Sequence, residues 1–181
     1  AEAVNTIKRE GGELVGYNTD GVGLLRDLQH NLGFAVTGRR VLLMGAGGAS
    51  HGVLQPLLEC RPERLVVANR TPERAETLVR HFHGFAALAA QGLAAKPYEA
   101  LAGSQFDLVI NATSASLDGA MPPLPEGLFA PGALAYDMMY GRETAFLGYA
   151  RARGVVCADG LGMLVEQAAE SFRIWRGVRP Q

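Results

Sequence analysis

The residues best suited to hold a charged ligand form two clusters in the first half of the chain. Gly45-Ala46-Gly47-Gly48-Ala49-Ser50 follows the apolar run Val41, Leu42, Leu43, Met44, and Asn69-Arg70-Thr71-Pro72-Glu73-Arg74 follows a second apolar run at 65–68. Between two strands and ahead of a helix, the first cluster is a pyrophosphate turn. Gly45 permits the tight bend, and Gly47 lets backbone N–H groups approach the phosphates. A helix opening near Gly48 aims its positive dipole end at them. The third glycine position holds Ser50, which makes this the looser form of the pattern.

The second cluster selects the nucleotide. A βαβ unit that binds NAD commonly ends its second strand in Asp or Glu, roughly 20 residues past the glycines, to accept from the adenosine ribose hydroxyls. Here Asn69 stands there, followed by Arg70 and, one helical turn on, Arg74. A carboxylate would repel a ribose 2′-phosphate, whereas two guanidiniums pair with it. Thr71 can cap the next helix with its hydroxyl facing the same phosphate. Each charge-assisted bond contributes about 1.5–3 kcal/mol, a preference of roughly tenfold to a hundredfold. A blander reading makes Arg70 and Arg74 a solvated helix start, with Thr71 as N-cap and Pro72 at the first helical position. Given the glycine turn upstream, the expected cofactor is NADP(H).

These clusters need a frame, and the hydrophobic pattern supplies one. A helix is expected from Thr19-Asp20, with Val22, Leu24, Leu25, Leu28 and Leu32 on its apolar face and Gly33 as its stop. Strands are expected at 41–44, 65–68, 106–110, 134–136 and 155–157, with a weaker strand candidate at Phe85-Ala86-Ala87-Leu88 in an alanine-rich stretch. Helices are expected after the glycine turn (kinked at Pro56), over 72–83, over about 144–153 and over 161–175. Strands alternating with helices give the α/β class: a Rossmann-like wound parallel sheet with helices on both faces.

Composition narrows the function classes. The chain has 181 residues, 48% of them hydrophobic, and a net charge of −1, values of an ordinary globular α/β core. Nothing in that balance suggests a nucleic-acid or membrane surface. No apolar run reaches the roughly 18 residues that span a bilayer, and no signal peptide opens the sequence, so a cytoplasmic protein is expected. Cys60 and Cys157 read as isolated reduced thiols, and His81 and His83 lack companion ligands for a metal.

Several polar segments fall where strands end or helices begin, the usual ligand side of an open parallel sheet. These are Asn5-Thr6, Asn18-Thr19-Asp20-Gly21, Asn111-Ala112-Thr113-Ser114, Asp137-Met138-Met139-Tyr140 and Asp159-Gly160-Leu161-Gly162-Met163-Leu164, with Gln167 in the last helix. Spacing alone favours Asp20 as a helix N-cap, Gly160 and Gly162 as turn glycines, and Tyr140 as a half-buried aromatic. By themselves the residues lead to an NADP-dependent oxidoreductase of unspecified substrate.

Taken in order with the glycine turn, Asn69-Arg70-Thr71 and Tyr136-Asp137, these segments closely resemble the shikimate dehydrogenase family across nearly the whole chain. The resemblance implies reversible NADPH-dependent reduction of 3-dehydroshikimate to shikimate, on the route to chorismate and the aromatic amino acids. It implies substrate hydroxyls held by Asn5, Asp20, Tyr140 and Gln167, with Asp20 the catalytic carboxylate. Gly45, Ala46, Gly47, Gly48 and Ala49 would hold the pyrophosphate. Asn69, Arg70, Thr71 and Arg74 would hold the 2′-phosphate, and Met138 and Gly160 would lie beside the nicotinamide. The small-molecule substrate is the expected partner, and the resemblance leaves room for a homodimer of the full-length enzyme. Quinate/shikimate dehydrogenase activity and a non-catalytic NADP-binding module are the alternatives.

The sequence departs from the family at informative places. The family pairs its catalytic carboxylate with a lysine in an N-terminal substrate domain, and neither Lys8 nor Lys96, the two lysines here, matches that motif. Residues 1–19 are therefore expected to be the C-terminal edge of a substrate-binding domain. Residues 20–159 would be the NADP-binding domain and 160–181 a helix returning toward the substrate domain. The N-terminal catalytic segment would lie outside this chain, leaving the fragment inactive by itself. Ser116, where many members have Gly, and Ala145, where Pro is common, bear on local loop shape.

Overall fold

The computed structural model of the chain describes residues 3–88, 92–113 and 121–180. Ser114 and Ser116 lie outside the described residues. A short antiparallel hairpin opens the structure, β1 (Thr6–Glu10) and β2 (Glu13–Tyr17), turning through Gly11 and Gly12 at positive φ. There follow α1 (Asp20–Arg26), β3 (Arg40–Met44), α2 (Gly48–Glu59), β4 (Arg64–Ala68), α3 (Pro72–Leu88) and β5 (Gly92–Lys96). A short 3-10 turn at Tyr98–Leu101 leads to β6 (Phe106–Asn111), β7 (Phe129–Asp137), α4 (Ala145–Arg151), β8 (Val156–Ala158) and α5 (Leu161–Arg176).

The six later strands form one all-parallel sheet in the order β5-β4-β3-β6-β7-β8. The chain builds outward from β3 in one direction, then crosses back to add β6 on the other side. That reversal leaves a crevice beyond the carboxyl ends of β3 and β6, where ligands bind in open α/β sheets. Both faces of the sheet are covered. Val41, Leu43, Val67 and Ile110 pack with Leu24, Leu54, Leu57 and Met163 from α1, α2 and α5. On the opposite face Leu42, Met44 and Val109 pack with Leu101, Phe146 and Leu147. Strands apolar on both sides read as continuous hydrophobic runs, which is why 41–44 and 106–110 were legible as buried strands.

At the amino ends of β3 and β6 a two-pronged ion pair fixes the register. Arg40 Nε and Nη2 donate to the two carboxylate oxygens of Asp107 at 2.9 and 2.7 Å, and the Arg40 backbone N–H adds a third bond at 2.9 Å. The guanidinium holds the Asp107 carboxyl down to about 2.

Three local expectations need correction. Phe85-Ala86-Ala87-Leu88 is not a strand but the last turn of α3, and the edge strand β5 begins at Gly92. An alanine-rich stretch carries no period, so helix propensity wins where α3 can simply continue. The helix from Asp20 does not run to Leu32 as α-helix: it changes at Asp27 into a π-helical turn, Asp27–Asn31, before Gly33 takes positive φ. The helix ascribed to 144–153 is shorter, with Thr144 as an N-cap whose hydroxyl accepts from the Leu147 N–H.

Pro56 lies inside α2, as the sequence requires. Proline has no N–H to offer the carbonyl of Gly52 one turn back. Gly21 of α1 sits directly on that carbonyl and on the Pro56 ring, too close to either for a Cβ. The two helices thus meet backbone to backbone, and α1 places Asp20 against α2.

Among the described residues no helix is long and apolar enough to cross a membrane, and no group of three or more potential ligands could hold a metal. Cys60 and Cys157 are free and half-buried, and burial pushes both thiols up.

Candidate cofactor cleft and substrate wall

The crevice at the sheet reversal is a cleft of about 610 Å³, lined on one side by Gly45, Ala46, Gly47, Gly48 and Ala49 and on the other by Asn69, Arg70, Thr71 and Arg74. That size lies within the usual range for ligand pockets. Gly45 takes a φ of +110°, and a Cβ there would stand 2.8 Å from the Ala112 carbonyl. Only glycine makes this bend. Gly47 is extended (φ −97°, ψ −170°), and a Cβ on Gly47 or Gly48 would meet nothing within 4 Å. The protein leaves that space open, directly over the first turn of α2. Ser50 in the third position is fully buried, which explains a small residue there.

At the end of β4, the Asn69 side chain donates to the Thr71 carbonyl at 2.9 Å and shapes the turn into Pro72, the first residue of α3. Arg70 and Arg74 are exposed and line the cleft. Among the described residues neither guanidinium makes a hydrogen bond or ion pair, although the Arg74 backbone N–H donates to the Thr71 carbonyl at 3.1 Å. Two guanidiniums without an internal partner, beside a glycine cradle at a helix N-terminus, form a donor set for phosphate.

The far wall combines Ala112 and Thr113 after β6 with Met138 and Met139 after β7. Buried side chains tie these turns together. The Asn111 side chain accepts from the Thr113 hydroxyl at 2.7 Å and donates to Asp137 Oδ2 at 3.0 Å. Asp137 also accepts from the Thr144 hydroxyl at 2.6 Å and the Met139 N–H at 2.9 Å. Gly160 packs so tightly on the Met138 carbonyl that no Cβ fits, and its N–H donates to Met139 O at 2.9 Å. Sequence reasoning missed Tyr98, Pro122 and Pro123, which also line the cleft. Tyr98 reads as a core aromatic because it is one, and burial pushes its hydroxyl up to about 12. The prolines carried no ligand signal.

The substrate residues inferred from resemblance are brought together in part. Asn5, just ahead of β1, donates to Asp20 Oδ1 at 2.7 Å. Its carbonyl oxygen accepts from the Thr19 N–H at 3.0 Å and from the Thr19 and Thr6 hydroxyls at 3.2 and 3.0 Å. Asp20 is the first residue of α1, but Thr19 is the cap residue and the Asp20 side chain turns outward to Asn5. The N-cap reading of Asp20 is therefore not what the structure shows. Asn18 braces the pair: its carbonyl oxygen accepts from the Asp20 N–H at 3.0 Å and its amide donates to Ala3 O at 3.1 Å.

A buried hydroxyl at Ser171 on α5 bonds Thr6 at 2.6 Å and Thr19 at 3.2 Å, joining the last helix to the same wall. Gln167, one turn earlier, packs on Gly23 of α1. Its side-chain Oε1 is buried without a hydrogen-bond partner, whereas its backbone carbonyl accepts from the Ser171 hydroxyl at 3.0 Å. Tyr140 lies past Met139, 47% exposed, and no hydrogen bond joins it to Asn5, Asp20 or Gln167.

A parallel sheet in this order, with a glycine turn into α2 and two exposed arginines after β4 lining the same cleft, defines a Rossmann-like dinucleotide-binding protein. Comparison with known families is more specific. The family described as shikimate/quinate 5-dehydrogenase matches residues 27–118, and the shikimate 5′-dehydrogenase C-terminal domain matches 160–181. The chain belongs to the shikimate/quinate 5-dehydrogenase family. It is 58% identical to shikimate dehydrogenase (NADP(+)) of Dechloromonas aromatica over 99% of this chain and 65% of that protein. It is 56% identical to the enzyme of that name from Nitrosospira multiformis, over 100% of this chain and 65% of that one. Among solved structures, shikimate 5-dehydrogenase from Thermus thermophilus, in complex with NADP(H) and shikimate, superposes with a TM-score of 0.81. It is 37% identical and covers 99% of this chain and 64% of that one. The chain thus spans about 65% of the length of the curated relatives it matches.

Proposed function

We propose that the intact protein is an NADP-dependent shikimate dehydrogenase, interconverting shikimate and 3-dehydroshikimate, and that this chain is its cofactor-binding part with one wall of the substrate site. The observation that carries the reading is the pair Arg70 and Arg74, unpaired within the described chain and facing the same cleft as the Gly47–Gly48 cradle. Relatives named as NADP(+) enzymes, and one solved with NADP(H) and shikimate, support it.

In this reading NADPH supplies the hydride that reduces the ketone, and NADP(+) takes it back from the alcohol. The backbone at Gly47 and Gly48 with the α2 dipole binds the pyrophosphate, while Arg70, Arg74 and Thr71 bind the 2′-phosphate. Asn69 sets the turn that presents them. Met138 and Gly160 exclude water beside the nicotinamide. Asn5, Gln167 and Tyr140 orient the substrate hydroxyls, and the Asp20 carboxylate, fixed by Asn5 and Asn18, moves the proton at the reacting oxygen. A lysine in a segment outside this chain completes the acid–base pair. Residues 1–19 form the edge of the substrate domain, 20–159 the cofactor domain and 160–181 the returning helix.

The family description covers quinate as well as shikimate, so quinate is the second substrate to assay. Incubating the intact protein with shikimate and NADP(+) should generate NADPH, followed by the near-ultraviolet absorbance of the reduced nicotinamide. Faster turnover of quinate, or no turnover of either, would overturn the assignment.

A further inference from the structure

We propose that Asp27 and Tyr136 form a positioning clamp that sets the Asp20 wall of the substrate site against the Met138–Gly160 side of the cofactor cleft. The inference rests on the shikimate dehydrogenase reading above and assigns it two residues that touch neither substrate nor cofactor.

Asp27 is 4% exposed and Tyr136 is fully buried. The Tyr136 hydroxyl donates to Asp27 Oδ2 at 2.6 Å, and the Asn31 amide donates to Oδ1 at 2.8 Å. Gly162, in the first turn of α5, sits so close to the carboxylate that a Cβ there would overlap it. The carboxylate is thereby enclosed by β7, the π-helical turn and the N-terminal end of α5, where the helix dipole favours it. Burial first, and then Asp27, push the Tyr136 hydroxyl above its ordinary range, so it remains a donor at neutral pH.

Each arm of the clamp leads to a different part of the site. Asp20 starts the helix that Asp27 follows. Tyr136 is two residues from Met138 on the strand that ends in the cofactor wall, and Gly162 is two residues from Gly160. Gln167 lies further along α5. The π-helical turn begins at Asp27 itself, the point where α1 changes form to bring this side chain inward, and such turns recur at functional positions. Stability alone is a weak reason for the arrangement, because a well-packed apolar side chain commonly serves as well as a buried carboxylate. What the carboxylate adds is direction: three elements meet in one geometry and keep hydride donor and acceptor sides at a fixed separation.

The test compares Tyr136→Phe and Asn31→Ala with wild type in the intact protein, using shikimate with and without deuterium at the oxidised carbon. Tyr136→Phe should lower kcat roughly 10- to 100-fold through misplacement of the reacting groups, and change the NADPH Kd by less than about threefold. Asn31→Ala should lower kcat several-fold. In both, the deuterium isotope effect on kcat should rise, because hydride transfer becomes slower than product release. Unchanged isotope effects, with activity lost only in proportion to unfolded protein, would overturn the clamp while leaving the reaction in place. A wild type that does not oxidise shikimate would overturn the reaction and the clamp with it.

Discussion

Single residues decide which nucleotide and which chemistry the site admits. Gly47 has allowed backbone angles for any residue and an empty space where a Cβ would go, so Gly47→Val should fold normally while its side chain enters the pyrophosphate space. Circular dichroism should be unchanged and NADPH titration should show binding lost; normal binding would mean that the phosphates lie elsewhere. Asp20→Asn keeps the shape and the bond from Asn5 only if the amide flips, and it removes the carboxylate as proton carrier. In the intact protein it should cost about 10²–10⁴-fold in kcat with NADPH affinity retained, measured by steady-state kinetics and fluorescence titration. The glycine turn and Asn69-Arg70-Thr71 were legible in sequence because backbone freedom and charge at a strand end have local meaning. Asp20 was not: spacing favoured a cap, and its role as partner of Asn5 depends on a hairpin that brings residues 15 apart into contact. Tyr98 likewise joins the cleft only through tertiary packing.

At the scale of elements, strand order rather than strand existence positions the cleft. Apolar runs predicted β3, β4, β6, part of β7 and, displaced by one residue, β8, but the crossover from β5 to β6 that opens the crevice is a property of the assembled sheet. β5 itself escaped notice because Gly92, Leu93, Ala94 and Ala95 lack the β-branched and aromatic side chains that mark strands. The π-helical turn was hidden too, since Leu24 and Leu28 keep a helical spacing through it. The amino ends of β3 and β6 carry a pH-dependent lock. Asp107 sits at about 2 when folded against an ordinary 3.8, so the folded value is the lower one. The pair's contribution is therefore present above about pH 4 and is lost as pH falls through about 2. Urea unfolding of Asp107→Asn should show lower stability at pH 7 and a flatter decline between about pH 4 and pH 2 than the wild type. Identical declines would show that the Arg40 pair does not contribute.

At the scale of the whole molecule, the two ends of the chain leave apolar surface uncovered. Leu161, Val165 and Trp175 of α5, all more than half exposed, fall on one helical face, and the hairpin's Ile7 and Leu14 are exposed as well. Trp175 Nε1 donates to the Ile7 carbonyl at 2.9 Å, so α5 and the hairpin form one surface. The chain spans about 65% of the length of its curated relatives, and a segment corresponding to the rest of those relatives would be the natural occupant of that surface. Val165→Asp should leave the stability of this chain within about 0.5 kcal/mol, as exposed substitutions usually do, yet reduce shikimate turnover of the intact protein. Equal effects on the two would show that Val165 acts through the packing of this chain itself. The cofactor cleft is assembled from residues of this chain, whereas only Asn5, Asp20 and their neighbours form a candidate substrate wall, which is why the sequence supported a cofactor more fully than a substrate.

The central claim is that the cleft beyond the carboxyl ends of β3 and β6 is built for NADP(H), and titrating this chain with NADPH and with NADH by nicotinamide fluorescence tests it most directly. NADPH should bind at least about tenfold more tightly than NADH, and Arg70→Ala with Arg74→Ala should remove that difference by weakening NADPH alone. Equal affinities in the unaltered chain, or an equal loss for both nucleotides in the double variant, would contradict the account.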